Sequence, residues 1–410
     1  MNIEKARKVD YWIGIFLCFL LSGLNHVRKA LRFKRNEIKP VRKIAFIKLA
    51  ELGAIILAYP LINCVKNEYP SADIFFVTFD KNKGIFKLLG QIIPQGNILV
   101  IRESPALFVL DTLTAVRRLS KERIDIVFDL EFFSRFSTIF SYLSGGVKRI
   151  GFYGYTFEGL YRGNLLTHKI QFNPLSHITK NYLSLCQAVK QEEKDTPQLE
   201  EDINDIELTF PRYMPDEKMQ KRMLGKLKDS GVDLKENKLF LINPGEGVLP
   251  LREWPVDNFI ALSKLILENK DNYIGIIGTK GATRKADLIL GALKNPRCVT
   301  LVNQTELDEL LELFSIADIL VSNDCGLAHL AMLTPIKEFV IFGPESPQVF
   351  GPLTENNYTI YSRWPCSPCL SVLNHRNSAC KNNQCLKCIK PEDVYNFILS
   401  NTKLGKPKER

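Results

Sequence analysis

The apolar run near the N-terminus of this 410-residue chain, Tyr11–Leu24, is only about fourteen residues long. It falls short of the roughly 20 residues that a bilayer-spanning helix needs. It also lacks a following small-residue cleavage site, and the residues after it are heavily basic, which opposes export as a secretory leader. Net positive charge is scarce elsewhere: of the net +10, a net +8 falls in residues 1–43, where eleven Lys/Arg face Glu4, Asp10 and Glu37. The nearly neutral remainder excludes a nucleic-acid-binding body. Repeats of solenoid type are absent, so the chain is no stacked array. Five of the ten cysteines are scattered singly (Cys18, Cys64, Cys186, Cys298, Cys325), which suits a reducing compartment.

What is present is a folded composition, 45% hydrophobic and 24% charged, in a chain long enough for two cores. The apolar N-terminal run is flanked by Lys5, Arg7 and Lys8 before it and by Arg28, Lys29, Arg32, Lys34 and Arg35 after it. Residues 1–41 therefore predict a membrane-associating segment, with the membrane surface met through residues 11–43: an apolar helix in the interface with cations on anionic lipid. A short membrane insertion and a helix packed on the protein itself are the alternatives.

From Arg42 onward, short apolar runs alternate with helical patterns. Strands are expected at 44–47, 74–78, 98–101, 124–129 and 149–152, and helices at 54–69, 107–120, 133–143 and 178–189. A second series follows, with strands at 239–243, 273–278, 299–302, 319–322 and 339–342 between helices, and a last helix over 391–400. This alternation predicts an α/β protein with mostly parallel sheets covered on both faces. The acidic, aperiodic stretch around 190–206 reads as a linker. The expected division is an N-terminal domain at 42–190, a linker at 191–215, a C-terminal domain at 216–390 with a cysteine-rich tail, and a helix with a frayed end at 391–410.

The stretch from Asp318 to Pro352 is the most organised. An apolar strand ends in Asn323-Asp324-Cys325-Gly326, a turn able to start a helix. A second apolar strand ends in Gly343-Pro344-Glu345-Ser346-Pro347, which continues neither element. In open α/β sheets ligands sit beyond such strand ends, where helix N-termini offer N–H groups to anions. The pattern by itself suits half of a nucleotide or sugar-phosphate site, or an ordinary strand-helix-strand unit with two polar loops.

Four blocks in order carry a resemblance: IAFIKLAELGAIILAYPLI (44–62), LFLINPGEGVLPLREWPVDNF (239–259), the Ser-Asn-Asp-x-Gly-x-x-His-Leu-Ala of 322–331, and a Cys-x-x-Cys…Cys tail before a final helix. Over about residues 42–400 the chain resembles glycosyltransferase family 9, the bacterial ADP-heptose:lipopolysaccharide heptosyltransferases. The resemblance implies GT-B architecture, two Rossmann-like doubly wound domains facing a cleft, with acceptor bound by the first and donor by the second.

It also implies roles for single residues. Asp324 would accept hydrogen bonds from donor hydroxyls, the Cys325, Gly326 and Leu327 amides would face the pyrophosphate, and His329 would donate to a phosphate. Asn323, Gly343, Pro344 and Glu345 would border the nucleotide, and Asn243, Pro244 and Gly245 would offer another phosphate turn. Arg252 stands where the family carries Lys and would stabilise the departing diphosphate. The family's proposed base is an Asp in a Leu-Gly-Asp triplet; here the triplet is Leu52-Gly53-Ala54. Ala takes no proton, and Glu51, three residues earlier, is the replacement candidate. Cys366, Cys369, Cys385 and Cys388 form two Cys-x-x-Cys pairs whose spacing suits a structural zinc, with buried thiols or disulfides as alternatives. No cofactor is expected for catalysis, since GT-B enzymes manage without a metal.

The functional expectation is an inverting transferase that moves a sugar from a nucleotide-sugar donor to a lipid-linked saccharide acceptor of lipopolysaccharide type. It would sit in the bacterial cytoplasm, peripheral on the inner face of the membrane, without nucleic-acid partners. The competing expectations are a membrane-bound sugar-nucleotide-binding protein, degenerate at Ala54, and a transferase of the same fold that uses a UDP- or GDP-sugar.

Overall fold

The structure, a computed structural model, describes residues 3–31, 40–89, 92–154, 161–193, 203, 206, 208–245 and 249–402. Much of the expected linker, the centre of the aromatic loop 151–164, the cations Arg32, Lys34 and Arg35, and the end after 402 lie outside the described residues. The chain divides into two compact units, Met1–Pro211 and Arg212–Arg410.

The first unit runs α1 (Ile3–Leu31), β1 (Lys43–Ile47), α2 (Leu52–Leu57), α3 (Tyr59–Glu68), β2 (Asp73–Phe79), β3 (Ile98–Ile101), α4 (Pro105–Glu122), β4 (Ile126–Asp129), α5 (Arg135–Leu143), β5 (Lys148–Phe152), β6 (His168–Ile170) and α6 (Ile178–Ala188). Its six strands are all parallel, in the order β3-β2-β1-β4-β5-β6. β1 and β4 are buried along almost their whole length, which explains their continuous apolar runs. Ala45, Ile47, Phe75, Val77, Ile101 and Phe140 lie in the core beneath one face. The single helix expected over 54–69 is in fact two. Pro60 has no N–H to donate within a continuing helix, so the chain breaks at Ala58 and restarts with Pro60 in the first turn of α3.

The second unit runs α7 (Glu217–Asp229), β7 (Lys238–Asn243), α8 (Val256–Glu268), β8 (Asn272–Ile276), α9 (Thr283–Leu293), β9 (Cys298–Thr300), α10 (Leu307–Ile316), β10 (Ile319–Asn323), α11 (Gly326–Ala331), β11 (Lys337–Phe342), α12 (Pro347–Phe350), β12 (Asn357–Tyr361), α13 (Gln384–Lys387) and α14 (Pro391–Asn401). Its sheet is again all parallel, in the order β12-β11-β10-β7-β8-β9. Counted within each unit, both sheets have the order 3-2-1-4-5-6, that of the dinucleotide-binding Rossmann fold. β6 and β12, each the sixth strand, escape the sequence pattern because both are edge strands without a strong apolar run.

That strand order locates the sites. In each sheet the connections leave in opposite directions from the first and fourth strands, opening a crevice at their carboxyl ends. In the first unit these ends are Ile47 and Asp129; in the second they are Asn243 and Asn323.

Candidate functional site

At the β7/β10 switch point of the second unit, Asn243 and Asn323 tie the strand ends together. The Asn243 amide donates to Ser322 Oγ (3.0 Å) and Cys325 Sγ (3.1 Å), and its oxygen accepts from the Gly245 N–H (3.2 Å). Asn323 accepts from the Trp254 N–H (2.9 Å) and donates to the carbonyls of Pro244 and Gly245 (3.3 Å each). Both side chains are buried and fully engaged in shaping the loops.

The charged centre lies beside them. Arg252, at the end of a 3-10 turn before α8, extends Nη1 to Asp324 Oδ2 and Glu345 Oε2, 3.2 Å from each. Asp324 follows β10 and Glu345 follows β11, so one guanidinium joins two adjacent strand exits. A fourth charge, not foreseen from the sequence, completes the group. Arg376 brings Nε to 2.8 Å from Glu345 Oε1, and its guanidinium lies 5.0 Å over the Phe350 ring. No spacing marks Arg376, which comes from the tail and meets the site only through folding. Burial and the neighbouring Asp324 push the Glu345 carboxyl above its usual range. Burial works against the Arg252 charge, but Asp324 and Glu345 outweigh it and raise its pKa.

His329 is buried one turn into α11, and its pKa is lowered to about 4, mainly by burial, with Arg252 adding to the effect and Asp324 opposing it. It is therefore neutral at physiological pH. Its Nδ1 and the Nε of Arg252 are buried without a hydrogen-bond partner. Two unsatisfied nitrogens around Asp324 are an energetic debit that a polar ligand could remove. Gly326 and Leu327 are half-buried at the start of α11, a helix of six residues, and the Leu327 and Ala328 amides point at the buried Cys325 thiol.

The tail clamps these loops. The Cys369 and Leu370 N–H groups both donate to the Pro344 carbonyl (2.9 and 2.8 Å), and Ser367 Oγ donates to that of Gly343. Gly343 lies so close to Leu386 that a Cβ there would collide with it. Asn383 donates to the carbonyls of Leu251 and Glu253 (3.2 and 2.9 Å), fixing the turn that carries Arg252. The expected zinc set is not assembled. Cys385 lies within the one-turn α13 and packs into the core, while Cys388, just after it, is left exposed. Burial, with the nearby Cys369, Cys366 and Cys380, pushes the Cys385 thiol up to about 11. Among the described residues no group of three or more His, Cys, Asp or Glu could hold a metal ion. Cys366, Cys369, Cys380 and Cys385 instead line a small cavity with Leu251, Pro344 and Trp364.

At the β1/β4 switch point of the first unit, Glu51 precedes α2 with φ 69°, a left-handed value costly for a residue with a Cβ. Its side chain is 37% exposed, with Oε2 3.7 Å from Lys48 Nζ. Buried Lys48 reaches Glu131 Oε2 at 3.1 Å, and Glu131 Oε1 accepts from the Leu49 and Ala50 N–H groups (2.7 and 3.2 Å). Glu131 thus braces the loop that presents Glu51. Sequence reasoning missed it because it lies 80 residues downstream, although its place just after β4 was a usable signal. Beneath them Asp129 and Arg162 form a fully buried ion pair, with Ser137 also donating to Asp129 (3.0 Å) and Arg162 donating to the Phe152 carbonyl (2.6 Å).

Comparison with known proteins fits this arrangement. Lipooligosaccharide heptosyltransferase 2 of Campylobacter jejuni is 26% identical over 160 residues, 38% of this chain and 49% of that protein. The enzyme of the same name from Haemophilus ducreyi is 31% identical over 117 residues, 27% of this chain and 33% of that protein. The chain thus spans about half or less of the length of these curated relatives. Among solved structures, that of E. coli ADP-heptose lps heptosyltransferase II superposes with a TM-score of 0.65 at 19% identity, covering 88% of this chain and 98% of the other. A glycosyl transferase family 9 structure from Veillonella parvula gives 0.65 at 14% identity, covering 88% and 97%. These likenesses establish the fold as GT-B. The family described as glycosyltransferase family 9 (heptosyltransferase) matches residues 113–379, well over half of the sequence, and the chain belongs to that family.

Proposed function

We propose that the protein transfers a sugar from a nucleoside-diphosphate donor, of the ADP-heptose class, to a lipid-linked saccharide of lipopolysaccharide type at the inner face of the bacterial cytoplasmic membrane. The observation that carries this reading is the Arg252–Asp324–Glu345 group at a Rossmann switch point, with the unpartnered Arg252 Nε and His329 Nδ1 beside it. The names of the relatives supply the ADP-heptose class and the acceptor type. In the reaction an acceptor hydroxyl attacks the anomeric carbon, and the bond from that carbon to the phosphate oxygen breaks. The nucleoside diphosphate leaves with the electron pair and is stabilised by Arg252. The hydroxyl proton passes to Glu51, and direct displacement inverts the anomeric centre. Asp324 holds donor hydroxyls, and neutral His329 donates to a phosphate oxygen. Asn243 and Asn323 act one step removed, by shaping the loops at Pro244, Gly245 and Gly343–Glu345. No step is assigned to a metal.

Calorimetric titration with ADP, UDP and GDP tests the donor site. ADP should bind most tightly; tighter UDP or GDP binding overturns the ADP assignment, and no binding of any of the three overturns the donor site. A second reading, a sugar-nucleotide-binding protein without turnover, is favoured by one observation: Ala54 bears no proton acceptor. ADP binding without turnover on any heptosyl donor and glycolipid acceptor would select it.

A further inference from the structure

Helix α1 is amphipathic in the opposite sense from an ordinary surface helix. Its inward stripe is small and polar: Asp10, Gly14, Cys18, Ser22 and Asn25, spaced three and four apart. Its outward face is large and apolar, with Trp12 73%, Phe16 60% and Phe19 67% exposed, together with Ile13, Leu20 and Leu24. A helix in water turns its apolar side to the protein; this one does the reverse. The reason is a specific seat on α5 and the loop before β6. Asp10 caps the N-terminus of α5, accepting from the Arg135 and Phe136 N–H groups (3.2 and 2.8 Å). Ser22 Oγ accepts from the Asn164 N–H (2.7 Å), and the Asn25 amide donates to the Asn164 carbonyl (2.8 Å). Gly14 lies so close that a Cβ would stand 2.7 Å from Arg135 Cβ, and Gly163, at φ +67°, comes equally close to Cys18.

We infer that α1 is a seated membrane platform: it lies flat in the interface of an anionic bilayer, apolar face into the lipid, while its polar face stays locked to the first unit. Three observations choose this occupant. The outward face is a contiguous apolar surface, which monomeric proteins rarely leave in water. Between Arg7 and Ala30, Asp10 is the only acid and is turned inward, whereas Arg7, Lys8, Arg28 and Lys29 lie at the two ends, so the charge complements anionic headgroups. A second copy of the chain, paired parallel or antiparallel along this face, would bring basic ends against basic ends. The helix, long and apolar enough to cross a membrane over Arg7–Ala30, corrects the length expected from the fourteen-residue run. To span, however, it would have to leave its seat and carry Asp10 and Asn25 into hydrocarbon. The seat also fixes which part of the body meets the lipid. Asn164 adjoins Arg162, the buried partner of Asp129 at the β4 exit, so a glycolipid in the same leaflet lies beside the first unit's switch point. The inference deepens the reading of a lipid-linked acceptor, but its test uses neither donor nor turnover and so fails separately.

The test is co-sedimentation of the full chain with phosphatidylglycerol-containing and with pure phosphatidylcholine vesicles. The wild type should prefer the anionic vesicles, and the double variant Phe16→Glu/Phe19→Glu should partition at least about tenfold less with an unchanged melting temperature. Unchanged binding of that variant, equal binding to both vesicle types, or a wild-type dimer that the variant splits without losing vesicle binding would each overturn the inference. Hydrogen exchange at Arg135 and Phe136, whose N–H groups end on Asp10, reads the seat directly. Their protection should persist on vesicles; its loss means that the helix has left the body to insert, and overturns flat docking.

Discussion

The two Rossmann switch points share a strand order and differ in electrostatics. In the second unit the crevice is filled before any ligand arrives: Arg252 is held between Asp324 and Glu345, Glu345 is paired again with Arg376, and all four are buried or nearly so. In the first unit the corresponding loop carries a half-exposed carboxylate on a left-handed residue, loosely facing Lys48, while the firmly bonded carboxylate, Glu131, sits behind it. The contrast follows from the two tasks proposed. A diphosphate needs preorganised cations that do not reorganise during transfer. A base needs a carboxylate able to reach a hydroxyl.

The largest effect expected is on the crowded side. Arg252→Ala leaves buried Asp324 without its cation and Glu345 with Arg376 alone, and should lower stability by about 3–5 kcal/mol, read by denaturant unfolding, with ADP binding lost as well. A variant that unfolds like the wild type would erase the contrast. On the open side, Glu51→Gln should reduce turnover by roughly 10²–10⁴-fold while ADP affinity and the unfolding midpoint stay unchanged. Full activity would remove Glu51 from the mechanism.

The pH dependence of stability sharpens the comparison further. His329 titrates near 6.5 when unfolded and near 4 when folded. Between these values the unfolded chain binds the extra proton, so the stability contributed at neutral pH is lost as pH falls from 6.5 to 4, by about 3 kcal/mol. The difference between wild type and His329→Gln across that window should show this loss. The raised Glu345 has the opposite slope, its contribution being lost as pH rises through its folded pKa, and it cancels in the difference. The smallest effect is at Glu51 itself: Glu51→Gly should relieve the left-handed backbone and raise stability by roughly 1 kcal/mol. A drop in melting temperature would mean that the carboxylate is held by more than Lys48.

Most of the architecture was legible from local pattern. The buried parallel strands read as apolar runs because both their faces are covered, and the expected strands fall within a few residues of β7, β10 and β11. The break at Ala58 and the edge strands β6 and β12 were not legible, since a single Pro, a three-residue strand or the polar-rich run Asn357–Tyr361 leaves little apolar periodicity. The loops after β7, β10 and β11 meet in the structure, and Arg252, Asp324, His329 and Glu345 converge there. Asn243 and Asn323 converge too, but as braces. The zinc expectation finds no support among the described residues, and cysteine spacing says nothing about whether a one-turn helix buries one thiol and exposes the other.

The sequence by itself determined the alternation of strands and helices, the family, and the residue types at the strand exits, because these are written in short-range periodicity and contiguous motifs. Only the tertiary structure decided that Arg376 joins the cluster of Arg252, Asp324 and Glu345, that Glu131 braces the loop of Glu51, and that α1 turns its polar face inward. Each of these depends on groups 30 to more than 120 residues apart in the chain being brought within hydrogen-bonding reach. Coulomb and hydrogen-bond energies decide such arrangements at a few ångströms, a distance that sequence spacing does not encode.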